Sequence, residues 1–405
     1  MKQGSTTQKK SGEKGKILSM EFYEKKARNH RLKNTVVYLV LFFVLVTSLA
    51  AYGIWRDKKV YGSFEFNGFT SPFNTSNAEV IAFGDLFLAY NSDGIHCINA
   101  DGKELWTGTF EMRSPMIACG DARVVAADRE GRQIYIYEKD GSFYRIDTAS
   151  PVLQTGISSK GLVYAALDEG DVTAIYCYDP LLDNADKTVS MIYSTMKGSG
   201  YPLTFAGSPS GKLFAVSYLS DEGGSLSSHL AFYNFGEVGQ NMPNNLMRTY
   251  TYAGEAVPYL YFFDENSLLA VTGKRMIFYG DAAGEDPKSV KEIFLQEEVR
   301  SVYAGNGRAA IIFDDPGEYR YRADIYGKNG ETESTVYFDL DYDDIKLSKY
   351  GMSVYNGERC LVYRYNGMKK AEFELPEGTE LLVPGKSEDK FTLIYGTSVG
   401  GIKLH

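Results

Sequence analysis

The sequence predicts an all-β chain, a β-propeller of eight blades preceded by one transmembrane α-helix, and three observations lead to this prediction. Residues 34–55 contain no charged side chain. Beyond them, segments of four to seven residues rich in β-branched and aromatic side chains alternate with turn residues. Groups of four such segments repeat every 36 to 56 residues, which is the pattern of a propeller blade.

The composition fits a large folded domain and argues against binding to nucleic acid. Hydrophobic residues make up 44% of the 405 residues and aromatic residues 14%, which is enough for an extensive core. The net charge is -9, whereas nucleic-acid binding calls for a basic surface. The charge is uneven, because residues 1–34 hold ten basic and three acidic side chains while the remainder is strongly acidic.

Four regions are predicted along the chain: a basic cytoplasmic tail (1–34), a transmembrane helix (35–55), a juxtamembrane segment (56–78) and an exported β-propeller (79–405). The tail is polar and is predicted to lack a fold of its own. A short helix over residues 17–32, lying on an anionic membrane surface, is the alternative for its second half.

The uncharged run is the strongest single signal, because about 20 helical residues span the hydrocarbon of a bilayer. Its predicted anchor residues are Val36, Leu41, Phe42, Phe43, Leu45 and Trp55. The basic tail is expected to stay in the cytoplasm and to leave the following domain outside. A signal peptide cleaved after Ala50 is the alternative, and it would export the same domain.

The blades are counted from their first strands. The clearest blade has strands at 80–83, 86–90, 95–98 and 104–110, and the next has them at 116–119, 123–127, 133–137 and 142–146. First strands begin near Val80, Met116, Leu153, Leu203, Tyr259, Val302, Ile345 and Leu381. This count gives eight blades, with seven as the alternative because the middle of the chain is irregular.

The last blade has only three strands of its own. The alternating segment 60–66 lies before the first blade and has no partner, so it is predicted to close the ring as the missing strand. Polar insertions at 182–188, 221–228, 236–245 and 280–288 are predicted to be surface loops.

Four dipeptides mark equivalent hairpin turns, because Asp-Gly and Asn-Gly favour positive backbone angles. These dipeptides are Asp101-Gly102, Asp140-Gly141, Asn329-Gly330 and Asn366-Gly367.

The segment Ile98-Asn99-Ala100-Asp101-Gly102-Lys103-Glu104-Leu105-Trp106 resembles the repeat of quinoprotein-type (PQQ-like) propellers. In that repeat the turn leads to a Trp that packs between blades. Residues 137–144 look like a degenerate copy, with an aromatic side chain near the Trp position but not at it. The whole layout also resembles a Gram-positive family of single-pass, membrane-anchored propellers of unknown function. The resemblance implies fold and placement, not an activity.

No catalytic or cofactor-binding residue is predicted. Quinoprotein dehydrogenases bind their cofactor with a stacking Trp, clustered acids and a metal, whereas Trp106 is the one Trp beyond the anchor. His96 and His229 are expected to be packed or rim residues. Sequence motifs of zinc peptidases, serine hydrolases and phosphate-binding loops are absent, and Ser208 and Ser210 are expected to form a turn.

Two weaker site hypotheses concern calcium and a disulfide. Asp339, Asp341 and Asp343 alternate as calcium ligands can, but the segment departs from the EF-hand pattern, so a solvated link between blades is preferred. Cys97 and Cys119 lie on strands of neighbouring blades, where a disulfide is conceivable. Buried free thiols are the preferred interpretation for all four cysteines.

The predicted function is that of a non-catalytic interaction scaffold at the cell envelope. The exported domain is expected to be monomeric and to bind a protein or another envelope component. The alternative is a saccharide or cation sensor, or a carbohydrate-active enzyme, that uses the funnel of the propeller.

Overall fold

The computed structural model of the chain describes residues 20–70, 78–182, 188–195, 199–222, 224–395 and 398–405. The chain divides into two compact units, and the boundary between them lies between Lys59 and Val60. Among these residues, the first unit contains a helix and the second contains all the strands.

Helix α1 is longer than the sequence predicted. It covers Met20–Lys58, whereas the predicted helix covered residues 35–55. Residues 20–34 of the basic tail are therefore helical, which agrees with the alternative of a helix in its second half and not with the expected lack of a fold there. The reason is local, since residues 25–33 consist mostly of Lys, Arg, Ala and Leu, which are good helix formers, and no Gly or Pro interrupts them. Residues 1–19 lie outside the described part of the chain.

The second unit is an eight-bladed β-propeller, as predicted. Strand β1, Phe64–Thr70, precedes the blades and belongs to the last of them. Blade 1 consists of β2 Glu79–Phe83, β3 Leu86–Tyr90, β4 Gly94–Ile98 and β5 Glu104–Thr109. Blade 2 consists of β6 Pro115–Cys119, β7 Arg123–Asp128, β8 Gln133–Glu138 and β9 Phe143–Asp147. Blade 3 consists of β10 Val152–Ile157, β11 Val163–Asp168, β12 Val172–Tyr178 and β13 Thr188–Thr195.

Blade 4 consists of β14 Tyr201–Gly207, β15 Leu213–Glu222, β16 Ser225–Asn234 and β17 Leu246–Ala253. Blade 5 consists of β18 Tyr259–Phe262, β19 Leu268–Val271, β20 Arg275–Gly280 and β21 Lys288–Phe294. Blade 6 consists of β22 Ser301–Gly305, β23 Arg308–Asp314, β24 Tyr321–Gly327 and β25 Thr332–Phe338. Blade 7 consists of β26 Asp344–Ser348, β27 Gly351–Tyr355, β28 Arg359–Tyr363 and β29 Lys369–Glu374. Blade 8 consists of β30 Thr379–Pro384, β31 Lys390–Tyr395, β32 Ser398–Leu404 and β1.

Strand β1 closes the ring, but at a different position from the one predicted. It pairs antiparallel with β32, from Phe64 opposite Leu404 to Thr70 opposite Ser398, whereas the predicted strand covered residues 60–66. The position is set by packing, because the Phe66 ring lies over Gly400, where a Cβ would come within 2.7 Å of it. Tyr61 instead donates its N–H to the carbonyl of Lys370 at 2.9 Å.

The core is distributed between the blades. Among the described residues, eight clusters of buried apolar side chains lie one at each interface between neighbouring blades, including the interface of blade 8 with blade 1. Each sheet therefore buries both faces against its neighbours, and the ring has no unpaired end.

The predicted surface loops are only partly correct. Residues 221–228 were predicted to form a loop, yet β15 continues to Glu222 and β16 begins at Ser225, so blade 4 carries a long hairpin there. Residues 281–287 form the predicted loop after β20. Two short 3-10 helices, Gly239–Asn241 and Pro243–Asn245, lie in the predicted loop at 236–245. Residues 183–187 lie outside the described part of the chain.

Candidate functional site

The four predicted turns occupy the same place in their blades. Each joins the third strand to the fourth, and Gly102, Gly141, Gly330 and Gly367 all have positive φ, from 76° to 87°. The glycines also permit close packing: a Cβ on Gly141 would lie 2.6 Å from Trp106, and one on Gly330 would lie 2.7 Å from Phe278. Each of these two turns therefore packs against a side chain of the preceding blade.

Trp106 is the clearest example of this packing. Its ring stacks on Tyr137 of blade 2 with centroids 5.3 Å apart, and its Nε1–H donates to the carbonyl of Lys139 at 3.0 Å. Tyr137 in turn approaches Gly108, where a Cβ would lie 2.5 Å from the ring. The Trp thus links two blades and has a structural role.

A β-bulge explains why blade 2 looked degenerate in sequence. In blade 1 the register shifts between Cys97 and Ile98, so Trp106 pairs with Cys97. Blade 2 shows no such shift, and Tyr144 pairs with Ile136, the equivalent of Cys97. Tyr144 therefore takes the structural place of Trp106 although it lies one residue earlier after its turn. The same shift occurs in blades 3, 4, 5, 6 and 7.

The three candidate calcium ligands are held by protein donors instead. Asp339 accepts from the Arg320 N–H at 3.0 Å, Asp341 accepts from the Tyr321 hydroxyl at 2.6 Å and pairs with the Arg320 guanidinium, and Asp343 accepts from a backbone N–H in the next blade. The Tyr321 and Arg320 contacts hold the pKa of Asp341 below its usual value. Within the described ranges, no group of three or more His, Cys, Asp or Glu side chains is arranged to hold a metal.

The histidines and cysteines also have structural surroundings. His96 Nδ1 lies 2.8 Å from Glu104, and His229 lies 3.0 Å from both Ser220 and Thr251. All four cysteines are free thiols, so the structure contains no disulfide between Cys97 and Cys119. Burial raises the pKa of each of these two thiols to about 12, which suppresses the reactive thiolate.

The serine-containing turn in blade 4 holds two blades together. The Glu265 carboxylate of blade 5 accepts from the Ser208 hydroxyl at 2.8 Å and from the Ser210 hydroxyl at 2.7 Å. The turn itself was predicted, but its acidic partner was not, because Glu265 lies 55 residues from Ser210 along the chain.

A cavity of about 430 Å³ lies at one mouth of the central channel. It is surrounded by the ends of the first strands of blades 3, 4 and 5 and by a turn of blade 6. Its wall includes the rings of Phe205, Tyr261 and Phe263, the side chain of Ile157 and the polar backbone at Gly307. Tyr261 packs edge-on against Phe263 with centroids 5.2 Å apart.

The electrostatics of this cavity limit its chemistry. No described residue that lines it is charged. Burial raises the pKa of Tyr261, so its hydroxyl stays neutral at ordinary pH. The cavity thus presents apolar and aromatic surface with a few backbone and hydroxyl groups, a composition suited to binding and poorly suited to proton transfer. Sequence reasoning missed it, because its residues come from four blades and carry no shared motif.

The predicted anchor residues all lie on α1 and are exposed in the unit that contains them, with exposed fractions of 57% for Val36 and 69% for Phe43 as examples. Among the described residues, one helix is long and apolar enough to cross a membrane, over Lys25–Arg56. Such a helix serves either as an anchor or as a signal sequence.

Comparison with known sequences identifies the family. Residues 57–404 match the profile of a family of unknown function, DUF5711. The chain belongs to the DUF5711 family. A search of curated proteins finds no match for this DUF5711 chain.

Solved structures similar to this DUF5711 propeller share its fold at low sequence identity. A eukaryotic initiation factor matches with a TM-score of 0.51 and 12% identity, over 82% of this chain and 89% of the other. BamB from Moraxella catarrhalis matches with a TM-score of 0.48 and 12% identity, over 80% and 96%. Hsv2 from Kluyveromyces lactis matches with a TM-score of 0.46 and 8% identity, over 77% and 98%. At such identities the likeness concerns the fold alone.

Proposed function

We propose that this DUF5711 protein is a membrane-anchored, extracytoplasmic β-propeller that acts as a non-catalytic interaction scaffold at the cell envelope. The observation that carries the proposal is the uncharged aromatic cavity at the channel mouth. Protein-binding surfaces are enriched in aromatic residues and depleted of charge at their centre, and a few buried rings supply most of the binding energy. Phe205, Tyr261 and Phe263 provide such rings on rigid strands and turns.

The proposed placement of the propeller is supported by the positive charge that precedes the apolar run. Lys25, Lys26, Arg28, Arg31 and Lys33 precede the uncharged segment within α1. Basic residues on the short N-terminal side favour retention of that side in the cytoplasm. In this proposal α1 remains as an anchor and the propeller lies outside the membrane.

Site-specific photo-crosslinking in intact membranes tests the binding surface. A photoreactive phenylalanine derivative at position 261 keeps an aromatic ring at the cavity, and we expect it to capture a reproducible protein partner. The matched control places the same group at Val290, which is 53% exposed on the outer strand of the same blade. Capture from neither position, or equally from both, would count against the channel mouth as the binding surface.

A further inference from the structure

Two aromatic rings that line the channel-mouth cavity are held in place by the backbone of a neighbouring blade. Phe205 of blade 4 lies over Gly156 of blade 3, where a Cβ would come within 3.2 Å of the ring. Tyr164 of blade 3 lies over Gly207 of blade 4, where a Cβ would overlap the ring. The Tyr164 hydroxyl also donates to the carbonyl of Gly211 at 3.2 Å. The walls of blades 3 and 4 therefore interlock, and these rings are fixed before any partner binds.

The rings of blade 5 at the same cavity are fixed by one another and by blade 6. Tyr261 meets Phe263 at an interplanar angle of 84°, and Phe263 stacks on Phe278 with centroids 6.2 Å apart. Burial raises the pKa of Tyr261, and the backbone N–H of Gly307, which faces the hydroxyl from the turn of blade 6, acts in the opposite direction. Because that N–H points at the hydroxyl oxygen, the hydroxyl proton is directed elsewhere and can be donated to an acceptor.

The turns around the cavity use several of their polar groups to bind one another. The Lys160 N–H donates to the Pro209 carbonyl at 3.1 Å, which joins the turns of blades 3 and 4. Glu265 of blade 5 accepts from both serine hydroxyls of the blade 4 turn. The Asn306 amide of blade 6 donates to the carbonyl of Leu347 in blade 7 at 2.7 Å. The rim is therefore held rigidly, and recognition of a ligand depends mainly on the rings.

Three properties of the cavity select the kind of chain segment that fits it. Its described lining residues carry no charge, its walls are preorganised, and the Tyr261 hydroxyl offers a hydrogen-bond donor. A polyproline II segment has the complementary properties, because its apolar rings are held rigidly and its backbone carbonyls are not bonded within the segment. An α-helix uses its carbonyls internally, so it would cover the hydroxyl without giving it an acceptor, at a cost in affinity.

We infer that the channel-mouth cavity binds an uncharged, proline-rich segment of the partner protein in the polyproline II conformation. The proline rings pack on Phe205 and Tyr261, which are both partly exposed, and a carbonyl of the segment accepts from the Tyr261 hydroxyl. Two rigid surfaces lose little conformational entropy when they associate, which favours binding of a short segment. This inference rests on the proposed function and specifies the chemistry of its partner.

Fluorescence anisotropy of a labelled decaproline peptide, with the full chain in lipid nanodiscs, tests this inference. Decaproline is expected to bind saturably, and an uncharged helical peptide rich in Leu and Gln is expected to bind more weakly. Tyr261→Phe keeps the ring and removes the hydroxyl, so we expect the affinity for decaproline to fall about three- to tenfold. Phe294→Ala is the matched control, because Phe294 is 64% exposed on the outer strand of the same blade. It is expected to leave the affinity unchanged.

The variant Phe205→Leu separates loss of the site from loss of the fold. It keeps an apolar side chain over Gly156 and removes the aromatic face, so we expect the affinity to fall at least fivefold while the chain still unfolds cooperatively. Failure of decaproline to bind, tighter binding of the helical peptide, or decaproline binding unchanged in both Tyr261→Phe and Phe205→Leu overturns the inference.

Photo-crosslinking at position 261 distinguishes this failure from failure of the proposed function. If decaproline does not bind but a protein partner is still captured at position 261, the polyproline inference is overturned and the scaffold proposal stands. If decaproline binds and both variants weaken it as expected, the inference is supported.

Discussion

Gly141 and Gly170 share a left-handed backbone conformation but have different surroundings. Their φ angles are +87° and +81°, and each sits in a turn. A Cβ on Gly141 would lie 2.6 Å from Trp106, whereas nothing lies within 4 Å of the same position on Gly170. Gly170 therefore requires glycine only for its backbone conformation, whereas Gly141 requires it also for close packing between blades.

We expect Gly141→Ala to destabilise the propeller by about 2–4 kcal/mol, because strained backbone and a clash with Trp106 add together. Gly170→Ala carries only the backbone cost, about 1 kcal/mol. Denaturant unfolding of the two variants measures the difference. Equal losses of stability in the two variants would mean that packing of the blade 2 turn against the Trp106 ring does not contribute to stability.

Lys370 is a buried charge at the seam where the ring closes. Its side chain is 1% exposed, its ammonium lies 3.5 Å from the Glu388 carboxylate, and it also faces the rings of Tyr61 and Tyr350 at 5.6 and 5.9 Å. Burial lowers the pKa of Lys370 to about 8, below its ordinary 10.5, although Glu388 acts in the opposite direction. The folded protein thus releases this proton at a lower pH than the unfolded chain does.

Because the folded-state pKa is depressed, the cost of burying the charge is fully present below pH 8 and is relieved as the pH rises towards 10.5. The free energy of unfolding of the wild type, relative to Lys370→Met, is therefore expected to increase by about 2–4 kcal/mol across this window. Lys369→Met is the control, since Lys369 is about half exposed. If the free energy of unfolding differs between the wild type and Lys370→Met by the same amount at every pH, Lys370 is not buried in its charged form.

At the scale of the elements, removal of the closing strand β1 tests how the ring is held together. Phe64 and Phe66 of β1 contact Phe373 at 5.7 Å and Tyr395 at 5.5 Å, which joins the start of the propeller to blades 7 and 8. A chain that starts at residue 68 loses the strand up to Asn67 and these ring contacts. It is expected to be less stable than a chain that starts at residue 58 by at least about 3 kcal/mol.

Thermal and denaturant unfolding of the two shortened chains measures this difference. Identical stability would contradict closure of the ring by β1. The register predicted from sequence was wrong by several residues, because the alternating pattern of 60–66 does not show which aromatic ring can lie over the glycines of β32. That choice depends on contacts more than 300 residues apart in the chain.

The elements that sequence reasoning located correctly are those fixed by local chemistry. All eight first strands lie where the period-two segments predicted them, and the four Asp-Gly and Asn-Gly turns have the positive φ that such dipeptides favour. Features that depend on pairing were missed. The hairpin at Glu222 and Ser225 was predicted as a loop because its polar residues conceal a paired strand, and the bulge that realigns Trp106 leaves no local signal.

At the scale of the whole molecule, the candidate site is a product of the ring. The four blades that line the channel mouth contribute residues from Gly156 to Gly307, and the packing of these consecutive blades side by side brings them around one cavity. A sequence read segment by segment shows Phe205 and Tyr261 as ordinary strand residues. The fold class could be predicted from the strand and turn patterns, whereas the candidate cavity became apparent only from the fold.

The central claim, a scaffold that presents its channel mouth outside the membrane, is tested most directly by a membrane-impermeant lysine cross-linker on intact cells, followed by mass spectrometry. Lys160 and Lys212 are exposed beside the channel mouth, while Lys25 and Lys33 lie in the N-terminal part of α1. We predict that Lys160 or Lys212 is linked reproducibly to one protein partner and that Lys25 and Lys33 stay unmodified. Modified Lys25 and Lys33 with unmodified propeller lysines, or propeller lysines linked only within the chain, would contradict the claim.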